Sequence, residues 1–330
     1  MLAAPNVKRD IEPELTTAKL GDVDYPTKIL TPNDRANITR QTRELDNRIR
    51  QAVVELHQAT RDKRKPAAPA LGPCGLLVGF GDWHFGKEAR AAGKVKYDLS
   101  IAQRRVSQLT EAIAEEAVFA RTHFGADEIV IASAGDIHDG EAVYKHQATT
   151  TSTYALDQFI ATLDSYGTML DRLCSLDMPI RLNFARGNHN IRAEGASRAA
   201  NLDNFLAVAL DSGAKRHAWP VEVRYTRDAW IEDTLKDNKI LIRHRGPRGS
   251  GTASPGNQHK GWLLSHGHDI LVYAHNHSTR VEHIHGAWVC RVGSLVGTDD
   301  LGEQMGEGDP PAQFCALVGD KFRPLPIVLD

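Results

Sequence analysis

Five apolar runs in this chain each stop at residues able to hold a cation, and that recurrence limits the folds open to it. Gly75-Leu76-Leu77-Val78-Gly79-Phe80 leads into Gly81-Asp82, and Glu128-Ile129-Val130-Ile131-Ala132-Ser133 leads into Gly135-Asp136. Ile180-Arg181-Leu182-Asn183-Phe184 precedes Gly187-Asn188-His189, Lys239-Ile240-Leu241-Ile242 precedes His244, and Asp269-Ile270-Leu271-Val272-Tyr273 precedes His275-Asn276-His277. Short apolar runs bounded by glycine and polar residues read as buried strands. Between the first three lie helical stretches near 98–122 and 155–176, with Val106, Leu109, Ile113 and Val118 at three- to five-residue steps. Strands alternating with helices imply an α/β fold on a largely parallel or mixed sheet, whose ligands sit beyond the carboxyl ends of the strands. The five polar termini therefore converge. Further short strands at 280–284, 287–292, 313–318 and 323–329 are expected to build a second sheet packed on the first, a two-sheet α/β/β/α sandwich.

Ahead of this region the chain reads differently. Thr31-Pro32-Asn33-Asp34 combines a capping hydroxyl, a first-turn proline and an acid, which predicts a helix start. Ile38, Leu45, Ile49, Ala52, Leu56 and Ala59 then follow at helical spacing, up to the Arg61-Asp62-Lys63-Arg64-Lys65-Pro66 stop. The expected division is an arm over 1–72 and a main domain over 73–330. The arm's heptad-like stripe suits either homo-oligomerisation or packing on its own domain. A formal net charge of −2 excludes a global field for nucleic acid or membrane. The four scattered cysteines form no C-x-x-C pair, which fits a reducing compartment, and no apolar stretch is long enough to cross a membrane; a cytoplasmic protein is expected.

Taken singly, each histidine here reads more readily as a surface or capping residue. The ordered set Asp82-x-His84, Gly135-Asp136, Gly187-Asn188-His189, His244 and His275-x-His277 is far more specific, and it resembles the calcineurin-like metallophosphoesterase family across roughly residues 75–295. The resemblance implies two divalent metal ions. Asp82, His84 and His277 would hold one, Asn188, His244 and His275 the other, and Asp136 would bridge them, with His189 as the acid that protonates the leaving oxygen. Mixed oxygen and imidazole ligands suit manganese first, with iron, zinc, nickel or magnesium as alternatives, and disfavour calcium. Two such ions can acidify a shared water and clamp phosphoryl oxygens. His217, His259, His266 and His268 compete with His244, but its apolar lead-in favours it. Two positions depart from the family pattern. Asn190 stands where a carboxylate often follows Gly-Asn-His, leaving Asp139 as a candidate substitute, and Ala274 replaces a glycine.

Asp82-Trp83-His84-Phe85-Gly86-Lys87 resembles the opening motif of SbcD-type nucleases. The Gly135-to-Asp139 stretch and Val292-Gly293-Ser294-Leu295-Val296-Gly297 resemble phage and prophage phosphoesterases. The resemblance implies a phosphoester substrate, DNA foremost, with Arg186, Arg245 and Arg248 as candidate phosphate grips. Residues 246–257 lack a Walker ending and read as a surface loop or a flap. The acidic residues Asp299, Asp300, Glu303, Glu307 and Asp309 count against an open polyanion groove. A phosphomonoesterase or small-molecule phosphodiesterase, and a non-catalytic metal-binding interaction protein, are the alternatives.

Overall fold

The computed structural model describes residues 15–20, 23–28, 73–91, 94–141, 143, 147, 151, 153–189, 201–246, 267–297 and 309–330. The chain forms two compact units, residues 1–65 and 66–330. In the first, β1 (Leu15–Leu20) and β2 (Val23–Lys28) pair as an antiparallel hairpin, in a stretch whose sequence shows no clear periodicity. The helix expected after Thr31 lies outside the described residues, as do Asn190, Arg248, most of the 246–257 segment and the acidic residues before Asp309.

In the larger unit each of the five apolar runs is a strand. β3 (Gly75–Phe80), β6 (Ile129–Ser133), β7 (Ile180–Phe184) and β8 (Val221–Tyr225) run parallel. β14 (Ala312–Val318) and β15 (Phe322–Val328) extend the β3 edge antiparallel, giving the order β15-β14-β3-β6-β7-β8. The second sheet has the order β12 (Arg280–Ile284), β13 (Ala287–Arg291), β11 (Ile270–Tyr273), β10 (Asn238–Arg243), β9 (Trp230–Leu235). The tail strands thus divide between the sheets: β12 and β13 join β10 and β11, whereas β14 and β15 return to the first sheet. A short hairpin of β4 (Ala89–Ala91) and β5 (Lys94–Tyr97) stands apart.

The central strands β3, β6, β11 and β14 are buried along their whole length because both faces are covered. In β3, Leu76, Val78 and Phe80 enter one core cluster and Leu77 another; in β6, Ile129 and Ile131 separate in the same way from Val130 and Ala132. The first cluster lies under helices and the second between the two sheets, where Ile240, Ile242, Ile270 and Val272 meet it. Each buried aliphatic side chain contributes about 1.5–3 kcal/mol of transfer free energy.

Helix α1 (Leu99–Phe124) starts at Asp98, whose carboxylate accepts from Ile101 N–H at 2.8 Å, and stops at Gly125 in the left-handed conformation. It buries Ala102, Val106, Leu109, Ile113 and Ala117. Helix α2 (Ala155–Cys174) matches its expected stretch, whereas α3 (Leu202–His217) was not anticipated. Its sequence offers a weak apolar stripe, with Leu206, Ala207 and Leu210 as the buried members. No described helix is long and apolar enough to cross a membrane.

Candidate metal centre

The loops after β3 and β6 continue the strand ladder beyond the sheet. Asp82 N–H donates to Gly135 O at 3.0 Å, His84 N–H to Asp136 O at 3.0 Å and Phe85 N–H to Ile137 O at 2.9 Å. This pairing sets Asp82 and His84 beside Asp136. Ala274 N–H donates to His244 O, so the loops after β10 and β11 are joined in the same manner. The sheets meet where Asp82 Oδ2 accepts from His275 N–H at 2.6 Å.

Five non-glycine residues at these loop tips have positive φ: Asp82 and His84 at 49°, Asp136 at 53°, His275 at 78° and His277 at 56°. Such conformations cost roughly 1–3 kcal/mol each and persist where surrounding structure imposes them, commonly at functional sites. The glycines permit close approach. A Cβ on Gly187 would lie 1.9 Å from Asp136 Oδ1, and one on Gly135, itself at φ 86°, would lie 2.4 Å from Gly187 N.

Donor atoms of Asp82, His84 and His277 lie within 4.8 Å of one another, as do those of Asp136, His244 and His275. Hydrogen bonds fix the tautomers. Asp139 only accepts, so His84 Nδ1–H donates to its Oδ1 at 3.2 Å, leaving the Nε2 lone pair 3.1 Å from Nε2 of His277. His244 Nδ1–H donates to Ala134 O at 2.9 Å, and its Nε2 faces Asp136 Oδ2 and Asn188 Oδ1, each at 2.9 Å. Asp82 Oδ1 is wholly buried without a hydrogen-bond partner among the described residues. Carboxylate, carboxamide and imidazole ligand atoms gathered this closely fit a cation. Ligands about 2.0–2.1 Å from one ion stand about 3–3.4 Å apart, against 3.1 Å between His84 Nε2 and His277 Nε2, 2.9 Å from His244 Nε2 to Asp136 Oδ2 and to Asn188 Oδ1, and 3.8 Å from His84 Nε2 to Asp82 Oδ1.

The electrostatics agree. Burial pushes the Asp82 carboxyl up to about 7, with Asp136 adding to the rise and His244 opposing it. Burial also works against an ionised Asp136, but His244, His189 and His84 hold it well below the usual carboxylate range. His244 is raised to about 9, because the charge and hydrogen bond of Asp136 overcome burial. His275 is lowered to about 4 by burial, then by His244 and Arg245.

His189 lies beside these groups. Its N–H donates to Asp136 Oδ1 at 2.7 Å, and its Nδ1 sits 3.3 Å from Asp139 O and 3.4 Å from Asp139 Oδ1. Asp139, fully buried, also accepts from Gln147 Nε2 at 3.0 Å and Thr151 Oγ1 at 3.4 Å. The carboxylate expected near His189 is therefore supplied three residues after Asp136. Arg245 is exposed with Nε 3.3 Å from Asn188 Oδ1, Arg186 is half-buried at the end of β7, and Arg280 pairs with Glu282. His268 stands at the amino end of β11, opposite His275, and faces Glu232 at 3.4 Å. His217 stacks on Trp219 at the end of α3.

Several supporting residues were not expected at the site, although Ser294 lies within the Val292–Gly297 motif. Ser294 Oγ–H donates to Asp82 O at 2.7 Å, and Gln313 bonds Gly81 through both ends of its amide. Asp203, on α3, accepts from the Gly187 amide at 2.8 Å. Each lies far along the chain from the loop it holds.

Among solved structures the chain is similar to a conserved uncharacterized protein, a predicted phosphoesterase, from Streptococcus pneumoniae, at 11% identity over 78% of this chain and 91% of that one, with a TM-score of 0.35. It is also similar to Vps29 from Cryptosporidium parvum, at 14% identity over 78% and 100% of the chains and a TM-score of 0.37. A novel archaeal phosphodiesterase matches at 11% identity over 76% and 99%, with a TM-score of 0.37. No curated protein matches the chain. The calcineurin-like phosphoesterase model matches residues 76–279, more than half of the sequence, and the chain belongs to that family.

Proposed function

We propose that this protein is a dinuclear phosphodiesterase that cuts DNA, with Asp82, His84 and His277 at one metal, Asn188, His244 and His275 at the other, and Asp136 between them. Family membership brings metal-dependent phosphoester hydrolysis as the class of chemistry. The reading of two metals is supported by two groups of ligand atoms, those of Asp82, His84 and His277 and those of Asp136, His244 and His275, each gathered within 4.8 Å. When bound, two divalent ions supply Lewis-acid polarisation of the phosphoryl oxygens and a water acidic enough to attack near neutral pH.

The chain's own residues do the rest. His189 donates Nδ1–H to Asp139, which leaves Nε2 to deliver a proton to the leaving oxygen. Its pKa is raised: burial opposes the charged ring, but Asp139 and Asp136 outweigh it. Arg245, exposed beside Asn188, can grip a phosphate oxygen as substrate enters, and Arg186 is the second such candidate. With two carboxylates among the proposed ligands and four positive charges on two ions, a net charge of about +2 by simple counting favours an anionic substrate. The preference for DNA is supported by the Asp82-to-Lys87 motif. Trp83 and Phe85 within it are 0% exposed, so these rings shape the loop from beneath rather than stack on bases.

The test is hydrolysis, with manganese and with chelator, of bis-p-nitrophenyl phosphate, p-nitrophenyl phosphate, single-stranded DNA and duplex DNA. Manganese-dependent cleavage of the diester and DNA supports the reading. Turnover of the monoester alone refutes the diesterase, and failure to bind metal refutes the site.

A further inference from the structure

Asp203 is 0% exposed in the first turn of α3, and its contacts go to the main chain of two loops. Its Oδ2 accepts from Gly187 N–H at 2.8 Å and Asp136 N–H at 3.3 Å, and its Oδ1 accepts from Ile137 N–H at 3.4 Å. One side chain thus spans the loop bearing Asp136 and the loop bearing Asn188 and His189. Asn201, the helix N-cap, reinforces the junction: its Oδ1 accepts from Asp203 N–H at 2.8 Å and its Nδ2–H donates to Gly187 O at 3.1 Å. On the other side, the buried ring of His138 brings Nδ1 to 3.7 Å from Asp203 Oδ1 and stacks on Phe159. The loops are in contact here, since any side chain at Gly187 would strike Asp136.

We propose that Asp203 is a positioning residue that locks these two loops together and so sets the spacing of Asp136 from Asn188 and His189, an inference that rests on the dinuclear reading above for its effect on activity. The carboxylate touches neither substrate nor any proposed ligand side chain; it acts through backbone amides. Three N–H groups aimed at one carboxylate hold two loops in register, whereas a neutral amide would turn its NH2 toward at least one of them. Residues that orient ligands in this indirect way commonly change metal affinity or activity by about 10- to 100-fold when replaced.

The experiment is amide hydrogen exchange on the full-length, chelator-treated protein, comparing wild type with Asp203→Asn and Asp203→Glu, followed by calorimetric titration of each with manganese. For Asp203→Asn, exchange at Asp136, Ile137 and Gly187 is expected to speed up about tenfold or more while α1 and β14 keep their protection. Manganese affinity is expected to fall about 10- to 100-fold, and kcat to fall with KM little changed. Wild-type exchange at the three amides overturns the proposal. So does acceleration spread evenly over the sheet with a matching loss of melting temperature, which would mark an ordinary role in folding. Should Asp203→Asn not fold, Asp203→Glu decides: local acceleration supports the lock and wild-type exchange refutes it. Local acceleration in a protein whose wild type binds no manganese removes the dinuclear reading and leaves the lock standing.

Discussion

Nδ1 of His189 stands 3.4 Å from Oδ1 of Asp139. Because the same carboxylate oxygen lies 3.2 Å from Nδ1 of His84, one buried aspartate fixes the tautomer of a proposed metal ligand and of the proposed acid together. Burial alone would raise Asp139, yet its bonds to His189 and His84 hold it well below the usual carboxylate range, so it stays ionised at working pH.

Replacing His189 should therefore separate catalysis from metal binding. His189→Ala is expected to lower kcat roughly 100- to 10,000-fold while manganese stoichiometry stays as in wild type. Asp139→Asn is expected to lower kcat and weaken manganese binding together, since it disturbs His84 as well. Paired activity assays and calorimetry check both; equal effects of the two substitutions on metal affinity would remove the distinction.

The pH dependence of metal binding follows from His244. Its folded pKa of about 9 exceeds the ordinary histidine value, so the metal-free site holds a proton between Nε2 and Asp136 at neutral pH. A cation must displace it. Manganese affinity is expected to rise with pH up to about 9, with proton release seen as buffer-dependent binding heats. The corresponding stability has the opposite sense. A raised histidine pKa stabilises the folded state below its unfolded value, and that contribution fades as pH climbs from about 6.5 to about 9. Chelator-treated protein should lose melting temperature across this window. A flat profile would mean that His244 does not carry the proton.

Gly187 tests the tightness of the loop junction. A methyl at this position would come within 2.2 Å of Asp136 N as well as its carboxylate, and backbone atoms cannot give way as a flexible side chain can. Gly187→Ala is expected to abolish high-affinity metal binding, whereas Gly213→Ala, in open space on α3, should leave it intact. Calorimetry of the two proteins provides the comparison.

What could be read in advance follows from range along the chain. Strands and ligand candidates were legible because an apolar run and its polar terminus are contiguous, as in Val78 to Asp82 or Val272 to His277. His244 was separable from its competitors by the run before it, and the structure places His268 at the other end of β11, for which two-residue spacing alone gave no warning. The supporting residues were not legible in this way. Asp203 precedes only a weak apolar stripe, and Gln313 reaches Gly81 across 232 positions. Their roles come from the approach of distant segments, which local periodicity does not encode. β14 and β15 illustrate the same limit: their short apolar runs mark strands, but membership of the first sheet is set by the pairing of β14 with β3 and of β15 with β14.

Away from the metal centre, Asp233 offers a test of how the two sheets are held at their far side. On β9 and nearly buried, it accepts from Asn183 Nδ2 at 2.7 Å, Arg181 Nε at 3.2 Å and an Arg224 terminal nitrogen at 2.9 Å, all from strands of the first sheet. Removing it leaves the Asn183 amide without this acceptor in a closed interface, while the partly exposed arginines turn to water or to Glu128 and Glu222. The loss should be that of one charged hydrogen bond together with an unsatisfied donor, about 2–3 kcal/mol. Asp233→Ala is expected to lower denaturant stability by that amount with manganese affinity unchanged, because the substitution breaks none of the bonds that orient Asp136 or His244. A double substitution with Asn183→Ala should cost less than the sum of the two single changes, since the orphaned amide is then removed as well. Full additivity would show that the two side chains act separately and that the cross-sheet bond contributes nothing of its own.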